Sequence, residues 1–480
     1  MKKGEVFALL FWLILMIEFK KLEKDVSVIK KYLPLSKNSF CDISLGIKYA
    51  WRDSFLIEYA IYNDTLIMKE SGPEYKNAFY YPMGKDEQGA LNQIEEYAKN
   101  INLPLTFCYI DNVCLEQLKN RYHDVKSTYN RDWCDYIYDA EKFKTYSGKK
   151  LSGQRNHVNK FKKNYPNYSF KTIDETDFSR IKDFLSEFAQ EREVVNWTER
   201  VEQESVLDLI KNASTLEQVG GLIEVDGQIV AISLGEKIGE TLIVHVEKAL
   251  KNYAGVYPTM AQEFARAFAT EEIKFINREE DCGDLGLRTS KLQYQPIEIK
   301  AKNFVTVKTL FDKIMPPVLI ETERLTVSEI IEEDAKDYAR LYLDDDLNKW
   351  WGYDYREDLK GESPTPEYFF KFQNTLKEKK EEYSFAVKID GVLVGELVLH
   401  NFDYFGGVEM GFRFFKESQG KGYATESALA LKNYVKLKLG AKTLKSRCFK
   451  ENLPSANLIK RIGLSYKNQD KTHYYFETEL

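Results

Sequence analysis

Apolar and polar positions alternate most regularly at three places in the chain, and each alternation is broken by two turn-forming residues. Asn63-Asp64 separates F-L-I-E-Y-A-I-Y from T-L-I-M-K-E, Asp226-Gly227 separates G-L-I-E-V from Q-I-V-A-I-S-L, and Asp390-Gly391 separates S-F-A-V-K-I from V-L-V-G-E-L-V-L. Such a pair between half-buried runs predicts a β-hairpin. The turns lie 163 and 164 residues apart. Before each hairpin an aspartate (Asp25, Asp177, Asp334) precedes a 3.6-period apolar pattern, which predicts a capped amphipathic helix. After each come another strand, a glycine-containing turn and a further helix. One element order repeated three times at this length means three copies of one domain, since solenoid repeats are only ~20–50 residues long. The predicted architecture is α/β (α+β): three tandem domains, each a mixed, mostly antiparallel twisted sheet flanked by helices. Expected boundaries are an apolar extension over 1–16 and domains over 17–145, 146–312 and 317–480. The tandem prolines after Met315 mark the last break.

The copies differ at the turn after the third strand. In the third copy E-M-G-F-R-F-F-K-E-S-Q-G-K-G-Y-A runs from Glu409 to Ala424, a buried strand followed by a loop with Gly420 and Gly422. Ala424, Ala428, Leu431 and Val435 then recur at helical spacing. A glycine loop opening a helix gathers backbone N–H groups at the positive end of the helix dipole, a setting for a phosphate, and Lys421 adds charge. The first copy has Gly-Lys-Asp-Glu-Gln-Gly here, whose acids repel a phosphate, and the second has only Gly255 nearby.

Length agrees with the repeat, because 480 residues suggest roughly three domains at ~150 residues each. A net charge of −6 gives no global attraction to nucleic acid or lipid, so any such contact needs a local patch. Six scattered cysteines and five dispersed histidines supply neither a disulfide framework nor a zinc motif, so no metal is expected and the chain reads as cytoplasmic. Val6 to Ile17 is continuously apolar but far shorter than the ~20 residues that span a bilayer. It reads as a membrane-surface anchor, a buried first helix, or an extension upstream of a start at Met16, with the last two favoured over peripheral membrane contact.

Two further stretches carry chemistry. In N-R-E-E-D-C-G-D-L-G-L-R-T-S-K (277–291), Arg278, Arg288 and Lys291 lie among Glu279 and Asp281. The segment is either a loop held by ion pairs or a pocket whose cations hold a carboxylate or phosphate while its acids hold an amine; His245 and Glu247 on the preceding strand can face it. Lys149 to Lys163 contains six Lys/Arg and no acid, with Phe161 and Tyr165 interleaved. It is either a solvated helix face or a tRNA contact combining phosphate pairing with base stacking. In the third copy, Trp350, Trp351, Tyr353 and Tyr355 beside Asp344 to Asp346 suit a cationic acceptor or form a core beside an acidic turn.

Residues 317–480 resemble the GNAT acetyltransferases, most closely the branch that acetylates ribosomal-protein N-termini. Gln419, Gly422 and Ala424 match its Q/R-x-x-G-x-G/A signature. Glu409, Gly411 and Phe412 match its E-x-G-[YF] strand, and Asn452, Ser455, Gly463 and Leu464 its N-x-x-S…G-[FL] segment. The resemblance implies acetyl-CoA as co-substrate. Its pyrophosphate would lie on the backbone of Gln419, Gly420, Lys421, Gly422, Tyr423 and Ala424. Its pantetheine would run along the strand bearing Met410, Phe412 and Phe414, near Asn452. Glu409 would act as base through a water. Where many relatives carry a tyrosine acid this chain has Ile459, leaving Ser455 or a water to protonate the thiolate. Residues 17–312 resemble the phosphatidylglycerol lysyltransferase C-terminal family, a tandem of two GNAT-like folds, through S-G-K-K-L-S-G-Q-R-N-H-V-N-K-F, H-V-E-K-A and the 277–291 string.

The implied activity is transfer of acetyl to an amine: a protein N-terminus, an amino sugar or a small amine. The alternatives assign the N-terminal pair to aminoacyl transfer from tRNA onto a lipid or peptide, or to substrate or RNA binding without chemistry.

Overall fold

The computed structural model describes residues 17–480 except 24, 39, 74, 191–204, 353, 358 and 360. The apolar segment 6–17 therefore falls, but for Ile17, outside the described residues. Among those described, no helix is long and apolar enough to cross a membrane.

The three hairpins form where the alternation places them, joining Glu58–Tyr62 to Thr65–Glu70, Gln218–Val225 to Gln228–Ile238, and Glu382–Ile389 to Val392–His400. Both turn residues have positive φ each time: 44° and 54° at Asn63-Asp64, 50° and 86° at Asp226-Gly227, 48° and 81° at Asp390-Gly391. That is the two-residue turn whose twist matches the flanking strands, and Asn, Asp and Gly pay least to adopt it.

Each hairpin sits in its own mixed sheet. The first runs Lys20–Lys21, Glu58–Tyr62, Thr65–Glu70, Ala78–Phe79, Leu105–Ile110, Asn303–Lys308, Asp124–Tyr129. The second runs Glu298–Lys300, Asp135–Asp139, Phe275–Asn277, Thr241–Ala249, Gln228–Ile238, Gln218–Val225, Ser169–Thr172. The third runs Leu319–Glu321, Thr326–Glu329, Glu382–Ile389, Val392–His400, Gly407–Phe414, Thr443–Phe449, His473–Glu479, Ser465–Gln469. The expected boundary near 145 is therefore misplaced, because Asp135–Asp139 already pairs inside the second sheet while Asn303–Lys308 returns to the first. A boundary read in chain order cannot register strands that cross between neighbouring sheets.

The chain divides into two compact units, one running to Glu116 and resuming over Ser127–Thr306, the other Gln117–Lys126 with Val307–Leu480. Within the first unit the two sheets share a core: Leu66, Met68 and Tyr80 belong to the same cluster as Phe184, Leu222 and Leu234. The second unit has its own core, built on Phe385, Leu397, Met410, Leu431, Leu444 and Phe476.

The helices expected at Asp25, Asp177 and Asp334 differ in detail. The first is only Ser27–Lys30. Asp177 instead shares a capping box with Asp174 ahead of Phe178–Gln190. Asp334 precedes Ala335–Leu343 without capping it, its carboxylate accepting from Ile331 N–H and pairing with Lys388.

Candidate functional site

Each sheet contains a parallel pair after its hairpin. In the second unit, Gly407–Phe414 runs parallel to Thr443–Phe449 only over Gly407 to Glu409. Beyond Glu409 the two strands diverge, while Gly407–Phe414 stays paired with Val392–His400 as far as Phe414. Alternation turns Val408, Met410 and Phe414 into the core, with Phe412 partly buried beside them, and leaves Glu409, Gly411 and Arg413 on the opposite face. Ser446 reaches across the opening, its hydroxyl donating to the Met410 carbonyl at 2.8 Å.

The glycine loop closes the far end of this wedge. Gly420 and Gly422 have φ of +74° and +89°, a left-handed region that other residues enter only at a cost. Gly422 is the N-cap of Tyr423–Leu437, a helix of four turns. The Gln419 side chain donates to the Phe414 carbonyl at 3.0 Å, tying loop to strand end. No acceptor among the described residues meets the N–H groups of Gly420 to Thr425. A Cβ at Gly420 would meet nothing within 4 Å, so the loop faces open space. Arg324 flanks it, its guanidinium 2.6 Å from Glu426 and within 3.1 Å of the Lys421 carbonyl. Unpaired N–H groups, a helix dipole and two cations (Lys421 and Arg324) fit the diphosphate of a CoA ester.

The other two copies close the same features. In the first, Asp86 caps Glu87–Asn100 by accepting from Gly89 N–H at 2.8 Å. In the second, a Cβ on Gly255 would lie 2.3 Å from the His157 carbonyl oxygen, so this glycine admits the helix Ser152–Asn164 rather than a ligand. Their parallel pairs are filled too. Beyond Phe79, the buried Tyr80 hydroxyl bonds Glu70, which Tyr109 also reaches at 2.8 Å. Beyond Ile243, His245 meets Glu279 at 2.7 Å and Glu247 meets Arg278 at 3.0 Å across the divergence.

On the open face of the third sheet, Glu382, His400, Glu409, Lys445 and Glu477 form one rung across five strands. Glu409 stands at the mouth of the wedge, Oε2 accepting from Asn401 at 3.0 Å and Oε1 from Arg447 at 3.2 Å. Burial, with Glu396 nearby, raises the Glu382 carboxyl to about 7. Glu382 and His400 were not singled out from sequence; their strand register is what brings them beside Glu409. Trp351 covers Gly411, where a Cβ would meet the indole at 3.2 Å. Beneath it the buried Arg413 pairs with Glu396 and also faces Tyr342. Tyr355 is core, Asp344 caps Asp345–Trp351, Asp345 pairs with Arg356, and Tyr353 lies outside the described residues. Asn452 caps Leu453–Arg461 by accepting from Ser455 N–H at 3.2 Å. Ser455 is half-buried beside Cys448, and Ile459 is wholly buried.

The charged loop of the first unit is committed internally. Arg288 binds Asp281 at 2.7 Å and Asp132 at 2.5 Å, and Lys291 donates to the carbonyls of Arg278 and Glu280. Asp281 is fully buried; burial alone would raise its carboxyl, but Arg288, Tyr136 and Gly283 N–H hold it down near 2. Arg278 packs against Tyr294 as well as pairing with Glu247. The three cations thus do not converge on one vacant anion site. His245 is held protonated: burial opposes its charge, yet Glu236 and Glu279 raise it to about 10. A second centre escaped sequence reading because its members come from four distant segments. The buried Lys302 lies 2.6 Å from Asp42, 2.7 Å from Asp135, 3.1 Å from Glu280 and 3.2 Å from Cys41 Sγ.

The basic helix Ser152–Asn164 turns Val158 and Phe161 into the core, and Tyr165 packs against them. Phe161 is fully buried and cannot stack on a base, whereas Tyr165, just past the helix end, is half-buried. Lys149, Lys150, Lys160 and Lys163 remain exposed, while Lys162 pairs with Glu263 at 2.9 Å.

A sheet that opens at a parallel pair, with an uncapped helix N-terminus behind the opening, is the GNAT arrangement. Residues 324–465 match the acetyltransferase (GNAT) domain family, and residues 35–304 match the family described as phosphatidylglycerol lysyltransferase, C-terminal. The second match covers more than half of the chain, which belongs to that family and carries a GNAT acetyltransferase domain after it. Similar proteins include the uncharacterized N-acetyltransferase YnaD of Bacillus subtilis (strain 168), 29% identical over 153 residues, covering 30% of this chain and 81% of that protein. The uncharacterized protein MYCGA3080 of Mycoplasmoides gallisepticum is 24% identical over 309 residues, 60% of this chain and 96% of its own. A crystal structure of a conserved protein of unknown function from Bacteroides thetaiotaomicron VPI-5482 is 30% identical, with a TM-score of 0.57, covering 61% of this chain and all of that one.

Proposed function

We propose that the C-terminal domain transfers acetyl from acetyl-CoA to an amine by direct attack. The observation that carries this reading is the contrast among three equivalent helix N-termini. One is capped by Asp86 and one is covered by the His157 carbonyl, whereas that of Tyr423–Leu437 has neither, its N–H groups from Gly420 to Thr425 meeting no acceptor among the described residues between Lys421 and Arg324. Residues of the Gln419–Ala424 loop hold the diphosphate, and the strand Gly407–Phe414 lines the pantetheine path. An ammonium cannot attack, and lysine-type amines stay protonated to ~10 and α-amines to ~8, so a proton must first leave. Glu409 takes it through a water at the wedge mouth. Backbone N–H groups left unpaired where the strands part polarise the thioester carbonyl as charge develops on its oxygen. Since Ile459 is buried and carries no proton, the departing thiolate is protonated by Ser455 or by solvent.

Calorimetric titration of the whole protein with acetyl-CoA tests the donor site. The exposed Lys421 has ordinary backbone geometry, so Lys421→Glu places a carboxylate against the diphosphate without strain. Saturable binding weakened at least tenfold in that variant is expected; unchanged affinity refutes the loop assignment.

A second reading concerns the first unit. Its family membership and the exposed lysines at 149, 150, 160 and 163 favour aminoacyl transfer from tRNA, the polynucleotide held by its phosphates alone. Filter binding of charged tRNA tests it, and absence of binding in low salt leaves the unit a module without that role.

A further inference from the structure

We propose that the acetyl acceptor is an amine bearing its own anionic group, a carboxylate or phosphate ester, a few bonds from the nitrogen, and that Arg447 recognises that anion. The proposal rests on the acetyl-CoA reading above and narrows its acceptor. Arg447 lies on the strand that diverges from Glu409, and its Nε sits 3.2 Å from Glu409 Oε1 across the mouth of the wedge. Glu409 is its only carboxylate partner among the described residues, and its side chain is 48% exposed. Lys445, level with Glu409 on the same strand as Arg447, is neutralised by Asp403 at 2.9 Å. Corresponding ion pairs fill the second copy from within, whereas this one lies at the surface where an acceptor arrives.

An incoming ammonium must share the Glu409 carboxylate with a guanidinium already bound to it. A purely cationic acceptor, such as a polyamine, brings like charge to that point. An acceptor with a neighbouring carboxylate or phosphate reverses the effect, because the planar guanidinium fork matches such anions bidentately. Drawing Arg447 onto the ligand releases Glu409 Oε1 for the amine. One ammonium proton then passes through water to Glu409, the nitrogen lone pair forms the new C–N bond, and the C–S bond breaks with its electrons leaving on sulfur. The second nitrogen proton is lost to solvent, and the thiolate gains one from Ser455 or water. Trp350 and Phe449, with ring centroids 6.2 Å apart, and His473, 4.2 Å from Phe449, offer an aromatic wall for the rest of the acceptor. A peptide N-terminus has a neutral amide where this acceptor has its anion, so it is disfavoured.

The test compares matched acceptors on the full-length protein with acetyl-CoA, following thiol release. Phenylalanine is set against phenylalaninamide and phenethylamine, and O-phosphoethanolamine against ethanolamine, which also separates carboxylate from phosphate. The anionic member should exceed its neutral partner in kcat/KM by about tenfold or more, the range of a charge-assisted hydrogen bond. Arg447→Gln should erase that preference by raising KM for the anionic amine, and Arg447→Lys should restore part of it; a thermal melt of each variant reports folding. Equal turnover of charged and neutral amines, or a preference that survives Arg447→Gln, overturns the proposal. If acetyl-CoA itself fails to bind, the donor reading falls separately. Calorimetry with phenylalanine and with O-phosphoethanolamine then decides the Arg447 site, and absent binding, or binding indifferent to Arg447→Gln, overturns it.

Discussion

Replacing each loop glycine by alanine measures how much of the donor site is backbone geometry. Gly420 and Gly422 have φ of +74° and +89°, and an L-residue there costs about 1–2 kcal/mol. The surroundings differ. A Cβ at Gly420 points into open space, while one at Gly422 would sit 3.2 Å from Arg324 Nη2. Arg324 cannot yield freely, because Glu426 holds it at 2.6 Å and the Lys421 carbonyl at 3.1 Å. The strain must surface somewhere. If the free loop keeps its shape, alanine lowers the melting temperature; if the loop relaxes, the ligand must rebuild it and affinity suffers. Converted at 1.4 kcal/mol per decade, 1–2 kcal/mol is about a 5- to 30-fold weaker acetyl-CoA Kd. Gly422→Ala should lie at or beyond the upper end and Gly420→Ala nearer the lower. Calorimetric titration beside thermal melts measures both outlets. Two variants that bind within twofold of the parent and melt with it would refute the view that left-handed backbone shapes this site, and a reversed order would refute the role given to Arg324.

Glu409→Gln should lower turnover about 10²- to 10⁴-fold, the usual contribution of a general base, with acetyl-CoA affinity unchanged; steady-state kinetics beside calorimetry check it. Lys302→Met strands Asp42, Asp135 and Glu280 in the interior and should cost about 3–5 kcal/mol in denaturant unfolding, and a loss under 1 kcal/mol would show that the acids find other partners. His245 is raised from 6.5 to about 10, so its stabilisation is complete below pH 6.5 and fades as pH climbs through 10. The melting temperature should accordingly fall over that window, and His245→Gln should flatten the slope. Lys160→Glu with Lys163→Glu should weaken any binding of charged tRNA, whose affinity should also drop steeply with salt; a salt-insensitive complex would contradict a phosphate-held mode.

The hairpins, the open loop and the three-sheet architecture were legible because each depends on residues adjacent in sequence. Two positive-φ residues between alternating runs specify a turn, and two glycines before a helical period specify an uncapped N-terminus. What escaped reading depends on register or on long-range pairing. Glu382 and His400 carry no local signal, yet strand pairing sets them level with Glu409. Lys302, Asp42, Asp135 and Glu280 are each unremarkable in sequence and meet only after two sheets pack together. The crowded charges around Gly283 left two readings open, and of these Arg288 and Lys291, satisfied by different internal acceptors, fit the loop held by its own pairs. Interleaving along the chain likewise does not mean sharing a helix face: Phe161 turns into the core while the lysines around it stay outside.

The strongest physical argument comes from what fills the divergence in each copy. A parallel pair that separates leaves backbone groups without partners, and burial makes that expensive, so something must occupy the gap. In the first copy Tyr80 and Tyr109 do so, converging on Glu70. In the second, His245–Glu279 and Glu247–Arg278 span the opening, and burial raises Glu279 to about 7 although His245 opposes that rise. In the third, Ser446 satisfies the Met410 carbonyl, and the half-exposed Arg447 meets the more buried Glu409 at the entrance. In the first two the protein's own side chains bridge the opening. In the third, Ser446 is the side chain that reaches across, and the glycine loop beside it has no capping side chain, an arrangement that suits the proposed CoA ester.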